Sequence, residues 1–429
     1  MTVRLTTHAL DAGGCGVARN AEGKVVFVEG ALGGETVDAE IFRSRPKFDL
    51  ARLTAVHEAA SGRRAPPCPH FGDCGGCATQ HADLRTQVAA KQRWLEDNLA
   101  RIGKVVPEFL MPAVYGEEWG YRRRARLSVR YVEKKGGALV GFRERRSTYV
   151  ADMRGCLVLP PAISALIVPL RELIGGLSIR ERLPQVEVAV GDGGSVLVFR
   201  VLNALSEEDK TGLRKFSEAH GVGVWLQPKG PESAAPFHPA AQPPLYYALP
   251  EFGLRIEFGP TDFTQVNHGV NRILVGRAVR LLDPKPGERI ADLFCGLGNF
   301  ALPLATRGAR VVGFETNQDL IGKARKNGER NGLRVDFQTL DLFASRIEAF
   351  GPFDKLLLDP PREGAVELVK SLPDAWPSRI VYVSCDPATL ARDAGILVHE
   401  KGFRLAAAGV VNMFPHTAHV ESVALFERG

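Results

Sequence analysis

The 429-residue chain is long enough for two to four domains of about 150 residues, each with a substantial core. Hydrophobic residues make up 45% and charged residues 24%, which excludes a largely disordered chain, and no apolar run approaches the roughly 20 residues needed to cross a bilayer. Lys and Arg number 55 against 49 Asp and Glu, a net charge of +6, and MTVRLTTHAL lacks the apolar core and cleavage site of a secretory signal, so a cytoplasmic protein without a membrane partner is expected.

Residues 1 to about 58 read as short strands divided by glycine turns, and KVVFVEG and ETVDAEIF alternate apolar and polar residues with period two. The pattern predicts a small barrel over 1–60, of the kind that often binds oligonucleotides, with Arg43, Arg45 and Lys47 on its last connection. The Pro- and Gly-rich SGRRAPPCPHFGDCGGC that comes next predicts irregular backbone. It holds Cys68, Cys74 and Cys77 within ten residues. Seven cysteines in so long a chain, without a secretory signal, do not make a disulfide framework, so these three read as metal ligands. The fourth ligand stays open between His81, which completes a zinc-like set, and Cys156, which completes four thiolates suited to zinc or iron–sulfur. Cys15 and Cys295 read as packing residues.

Apolar residues at helical spacing predict a helix from about Leu84 to Ile102. Strand-like pieces then run from Arg122 to Phe258, interrupted by helices near 161–175 and 206–220, which gives a central α+β unit over 61–258 with the 84–103 helix free to pack on the C-terminal domain. Tyr121 to Cys156 carries 11 Lys and Arg against 3 Asp and Glu, a local excess larger than that of the whole chain, so a polyanion is a candidate partner. Gln227 to Pro244 is rich in proline and is expected as an exposed loop.

From Gly259 onward strands and helices alternate: RIADLF, RVVGFE, VDFQTLD, KLLLDPP and RIVYVSC with intervening helices, then a last strand VESVALFER. The order predicts a doubly wound, mostly parallel sheet over 259–429. An acid closes each of the first two strands (Asp292 and Glu315) around the glycine turn Phe294-Cys295-Gly296-Leu297-Gly298-Asn299, which favours S-adenosylmethionine; Gly296-x-Gly298-x-x-Ala301 also fits a nicotinamide dinucleotide. Asp359 before two prolines and Cys385 before a helix end the fourth and fifth strands, and a thiol at a helix N-terminus is expected to have a lowered pKa. Glu421, at the head of the last strand, is a candidate general base.

These motifs together resemble the RNA uracil-5-methyltransferase family, in particular its bacterial 23S rRNA members that carry an iron–sulfur cluster. The barrel looks like a TRAM domain, CPHFGDCGGC with Cys156 looks like a four-cysteine [4Fe-4S] signature, and FTQVN, DLFCGLGNF, DPPR, VSCDPATLARD and FPHTAHVES match in order. The resemblance implies a class I, Rossmann-like methyltransferase domain beside the barrel and a central iron–sulfur unit. It also implies S-adenosylmethionine contacts from Gln265, Phe294, Asn299, Glu315, Asp359 and Asp341, the last a position where the family also carries Asn. Cys385 becomes the nucleophile toward uracil C6 and Glu421 the base. The family's tRNA branch usually lacks barrel and cluster, so the implied partner is 23S rRNA, with a monomer and no obligate protein partner expected. The rival readings are a nicotinamide-dependent oxidoreductase and a non-catalytic RNA-binding protein.

Overall fold

The structure, a computed structural model, describes residues 2–11, 13–344 and 347–428. Five strands between Thr2 and Glu58 close into a barrel in the order first, second, third, fifth, fourth. Its interior is filled by the alternate residues that the period-two pattern turns inward, among them Val26, Val28, Val37 and Ala39. Arg43, Arg45 and Lys47 are exposed at the turn joining Thr36–Ser44 to Phe48–Glu58.

The central sheet has six strands in the order Ala235–His238, Gly223–Gln227, Ser195–Arg200, Gln185–Val190, Arg124–Val132 and Gly137–Gly141. Helices Ile167–Gly176 and Glu207–His220 contribute Leu170, Ile174, Leu213 and Phe216 to its core. On Arg124–Val132, Ala125, Leu127 and Val129 are buried while Arg126 and Arg130 face solvent, so the strand's pleat separates core from charge. The expected Gln227–Pro244 loop instead contains the edge strand Ala235–His238, which tolerates Pro236 because an edge position need not supply every ladder hydrogen bond.

The C-terminal sheet has eight strands in the order Asp336–Thr339, Arg310–Glu315, Arg289–Leu293, Lys355–Leu358, Arg379–Ser384, Glu421–Arg428, Phe403–Val411 and Phe109–Leu110. The first five are mutually parallel, and Glu421–Arg428 is antiparallel to both of its neighbours. Leu357, Val381 and Val383 face one hydrophobic cluster while Leu356, Leu358, Ile380 and Tyr382 face another, as expected for a parallel sheet covered on both sides. Phe403–Val411 is an addition to the expected strands: its Ala- and Gly-rich middle has weak strand preference, and it is held by pairing along Glu421–Arg428.

The expected N-terminal helix runs Leu84–Asn98 and continues as a π-turn, Leu99–Gly103. Leu95 and Leu99 sit in the core beneath the C-terminal sheet. Gly103 is required there, since a Cβ would lie 2.3 Å from the Ala391 carbonyl oxygen on helix Pro387–His399. No helix among the described residues is long and apolar enough to cross a membrane.

Candidate active site and cysteine cavity

Parallel strands deliver their carboxyl ends to one edge, where crossover sheets bind ligands. The segments after Leu293, Leu358 and Ser384, and the end of Arg310–Glu315, all reach that edge. Antiparallel pairing brings the opposite end of the last strand there: Ser384 is registered with Ser422, so Cys385, one residue beyond the end of its strand, comes opposite Glu421, the first residue of the last strand.

The turn after Arg289–Leu293 has left-handed backbone at Phe294 (φ 67°), Gly296 (φ 52°) and Gly298 (φ 91°). A Cβ on Gly296 would meet nothing within 4 Å, so open space lies beside this residue, and its backbone N–H donates to Glu315 at 3.2 Å. Glu315 also accepts from the Asn317 N–H at 3.0 Å. Phe294 is strained for a non-glycine residue and packs against the exposed Phe343, ring centroids 5.6 Å apart. Asp341 is exposed and accepts from the Phe343 N–H. Gln265 is half-buried on the segment before helix His268–Leu282, a segment tied to the central unit by the Arg123 N–H, which donates to Val266 O at 2.8 Å.

Asn299 is already engaged. Its Oδ1 accepts from the Tyr247 hydroxyl and from Asn271 Nδ2, both at 2.9 Å, and its Nδ2 donates to Asn271 Oδ1 at 3.1 Å, which leaves one amide hydrogen for a ligand. Tyr247 and Asn271 carry no sequence signal for this role, because only the fold brings them to the glycine turn.

Asp292 is fully buried, and among the described residues neither carboxylate oxygen has a well-formed hydrogen-bond partner, the Ala301 N–H giving only slight relief. Burial, then the charge of Asp359, pushes its pKa well above the ordinary value of 3.8. The unfolded chain ionises this group near pH 4 whereas the fold keeps it protonated, so stability is lost as pH rises above about 4. Asp292→Asn removes the penalty. In thermal melts without ligand at pH 8, the variant is expected to exceed the wild type by a few degrees, about 2–4 °C for each kcal/mol recovered. The gap should close at pH 4, and equal melting points at pH 8 would contradict the account.

Cys385 departs from its expected chemistry. Its pKa is raised to about 11 rather than lowered, chiefly by burial, then by the charges of Glu421 and Asp359, with Arg362 opposing. The helix end is no help to the thiol because Asp386 occupies it, accepting from the Ala388 and Thr389 N–H groups at 2.8 and 3.3 Å. Burial lifts Asp359 to about 7. Glu421, 3% exposed, is pushed well above its ordinary range by burial and then by Asp359. Three acidic groups thus meet at one largely buried edge, where an arriving cation favours their ionised forms.

Cys68, Cys74, Cys77 and Cys156 line one cavity of about 200 Å³, walled also by Tyr121, Phe142 and Met153, and by Thr417 and His419 of the loop leading to Glu421. His81 does not line it: the ring is buried against Phe71, and among the described residues neither nitrogen has a well-formed hydrogen-bond partner. Burial raises the Cys74, Cys77 and Cys156 thiols, the latter two to about 12 and about 11, and the sulfurs repel one another when charged. Among the described residues, no three His, Cys, Asp or Glu side chains are arranged to hold a metal ion.

Residues 1–54 match the family model described as TRAM domain, and 290–358 match one described as Methyltransferase domain. With the glycine turn and Glu315 at the ends of adjacent parallel strands, this defines a class I S-adenosylmethionine-dependent methyltransferase. Residues 335–429 match the model described as tRNA (Uracil-5-)-methyltransferase. The chain is 59% identical over 435 residues to 23S rRNA (uracil(1939)-C(5))-methyltransferase RlmD of Nitrosospira multiformis, covering 100% of this chain and 99% of the relative. It is 61% identical over 425 residues to the protein of the same name from Thiobacillus denitrificans, covering 98% of each. The chain belongs to the RNA uracil-5-methyltransferase family. It is also similar to the crystal structure of Pyrococcus abyssi tRNA (uracil-54, C5)-methyltransferase in complex with S-adenosyl-L-homocysteine, with a TM-score of 0.77, 25% identity and 99% of both chains covered. Since that tRNA enzyme aligns across the barrel as well, the barrel does not by itself separate rRNA from tRNA enzymes.

Proposed function

We propose that this chain methylates carbon 5 of a uridine in 23S rRNA, at the position that its relatives' names number 1939. The observation that carries the chemistry is the placement of Cys385, just past the end of Arg379–Ser384, opposite Glu421 at the start of the neighbouring strand. Uracil C5 is a poor nucleophile. Addition of the Cys385 thiolate to C6 forms an S–C bond and moves the C5–C6 double-bond pair to C5, which attacks the methyl carbon of S-adenosylmethionine; the sulfonium–methyl bond breaks and S-adenosylhomocysteine leaves with that pair. Glu421 then accepts the C5 proton, the pair returns to the C5–C6 bond, and the sulfur leaves. Both groups start protonated in the free chain, and the positive charge of the methyl donor favours their ionised forms.

Gln265, Phe294, Asn299, Glu315, Asp341 and Asp359 would hold the methyl donor: Glu315 would take the ribose hydroxyls, Phe294 with Phe343 would offer a ring surface, and Asp359 would lie on the side of the reacting groups. Cys68, Cys74, Cys77 and Cys156, which line one cavity although no three of them converge on a single ion position, would hold a [4Fe-4S] cluster. In favour of a thiolate-bound group, all four thiols line the same cavity, and a set of four thiolates suits an iron–sulfur cluster. The cluster would offset the repulsion of four buried thiolates and brace the surrounding loops. The barrel (1–60) and the basic face of the central unit (61–258), with Arg126 and Arg130 exposed, grip phosphates, and 259–429 carries out the transfer. Exposed Phe263 is a surface on which the flipped uracil can stack.

The same chemistry on tRNA is the second reading, favoured by the likeness to the Pyrococcus abyssi enzyme. Tritium release from 5-tritiated, unmodified 23S rRNA, with tRNA in a parallel reaction, tests both. Release from rRNA alone is expected. Release from tRNA alone overturns the substrate, and release from neither overturns the chemistry.

A further inference from the structure

The segment between the last two strands, Asn412 to Val420, crosses from Val411 to Glu421, which are themselves registered partners. Its hold on the rest of the molecule comes mainly from outside the C-terminal sheet. Lys91, on helix Leu84–Asn98, is 5% exposed and donates to Asn412 Oδ1 at 2.7 Å and to Phe414 O at 2.8 Å. One turn earlier, Gln87 accepts from the His416 N–H at 2.8 Å and donates to His416 Nδ1 at 3.1 Å. The Ala78 and Thr79 N–H groups donate to His416 O at 2.7 and 3.1 Å, and the Tyr121 hydroxyl donates to Pro415 O at 2.9 Å. His416 is fully buried with left-handed backbone (φ 66°) and stacks on Trp119 at 3.8 Å, a conformation that the surrounding contacts must impose.

Lys91 is a poor choice for stability alone. Among the described residues no carboxylate pairs with it, and an unpaired buried ammonium carries a large desolvation cost that a methionine of similar length would avoid. What the ammonium supplies is two directed donors reaching both a side chain and a main-chain carbonyl of one loop, on the same helix face as Gln87.

We propose that Lys91, seconded by Gln87, is a positioning residue: by clamping the Asn412–Val420 strap it sets the Glu421 carboxylate where the C5 proton must be taken. The inference rests on the reading of Glu421 as the base. Helix Leu84–Asn98 is then part of the catalytic apparatus although none of the residues proposed to hold the methyl donor or to react with uracil lies on it. A base displaced by about 1 Å slows its own step by about 10²-fold and leaves earlier steps intact. The covalent Cys385–RNA species formed before proton removal must therefore accumulate.

The test is Lys91→Met in the full chain, with steady-state methylation and denaturing-gel detection of the protein–RNA adduct, beside Glu421→Gln. The expected result is a kcat lowered by about 10²-fold, KM for RNA and for S-adenosylmethionine within about twofold of wild type, and a visible adduct band. Lys91→Arg, which keeps the donors, should recover part of kcat and lose the band. Asn412→Leu removes the same hydrogen bond from the other side and should give the same adduct, which keeps the test open if Lys91→Met does not fold. An adduct with Glu421→Gln but with neither Lys91→Met nor Asn412→Leu overturns the positioning role. No adduct with any of the three overturns the reading of Glu421 together with the inference, and an unchanged kcat in Lys91→Met overturns the inference alone.

Discussion

Cys385→Ala is expected to abolish methylation, with tritium release from rRNA falling by at least about 10⁴-fold while RNA affinity stays within about twofold of wild type. The loss is large because no neighbour can replace the sulfur: Asp359 and Glu421 are carboxyls held well above their ordinary pKa, and Ser384 spends its hydroxyl on the Asp386 carbonyl at 3.0 Å. Binding should survive because the barrel and the basic face lie elsewhere in the chain, and the half-buried thiol leaves little void when truncated. Cys385→Ser should be nearly as inactive, since a hydroxyl is far less acidic and less nucleophilic than a thiol. Single-turnover assays at saturating enzyme, paired with filter binding, check both halves. Methylation at more than a hundredth of the wild-type rate in Cys385→Ala would remove this residue as nucleophile.

Glu421→Gln is expected to lower turnover by about 10²–10⁴-fold and to trap a covalent protein–RNA species stable to denaturant. The amide is close in size and neutral, like the carboxyl that the buried site already keeps protonated, so the fold should be preserved. It cannot accept the C5 proton, whereas addition and methyl transfer precede that need. Incubation with radiolabelled S-adenosylmethionine and RNA, then a denaturing gel, should show label at the mass of the adduct. Loss of activity without any adduct would assign Glu421 to an earlier step.

Much of this site is legible in the chain itself. Asp292, Glu315, Asp359 and Cys385 close strands whose apolar runs and intervening helices already imply a parallel sheet, and parallel strands must present those ends together. Less legible are residues whose partners lie far off in sequence. The engagement of Asn299 by Tyr247 and Asn271 spans 52 and 28 positions, and that of Asn412 by Lys91 spans 321, distances at which no periodicity or spacing rule operates. Expecting a lowered thiol pKa at Cys385 fails for a related reason. A helix N-terminus is visible in sequence, but the burial and the two carboxyls that reverse its effect are brought there by other strands.

Local periodicity and motif order are thus sufficient for the barrel, the basic segment, the alternating strands and helices, and the residue types that methyl transfer requires. The spacing of residues leaves open, and the folded chain decides, that Cys156 and not His81 lines the cavity of the three clustered cysteines, that the helix of the central segment packs beneath the catalytic sheet, and that a strap anchored by that helix leads into Glu421. The physical reason is that hydrophobic patterning acts over one or two turns of chain. Desolvation, charge coupling and hydrogen-bond satisfaction instead depend on which distant segments share a buried volume, and only packing determines that.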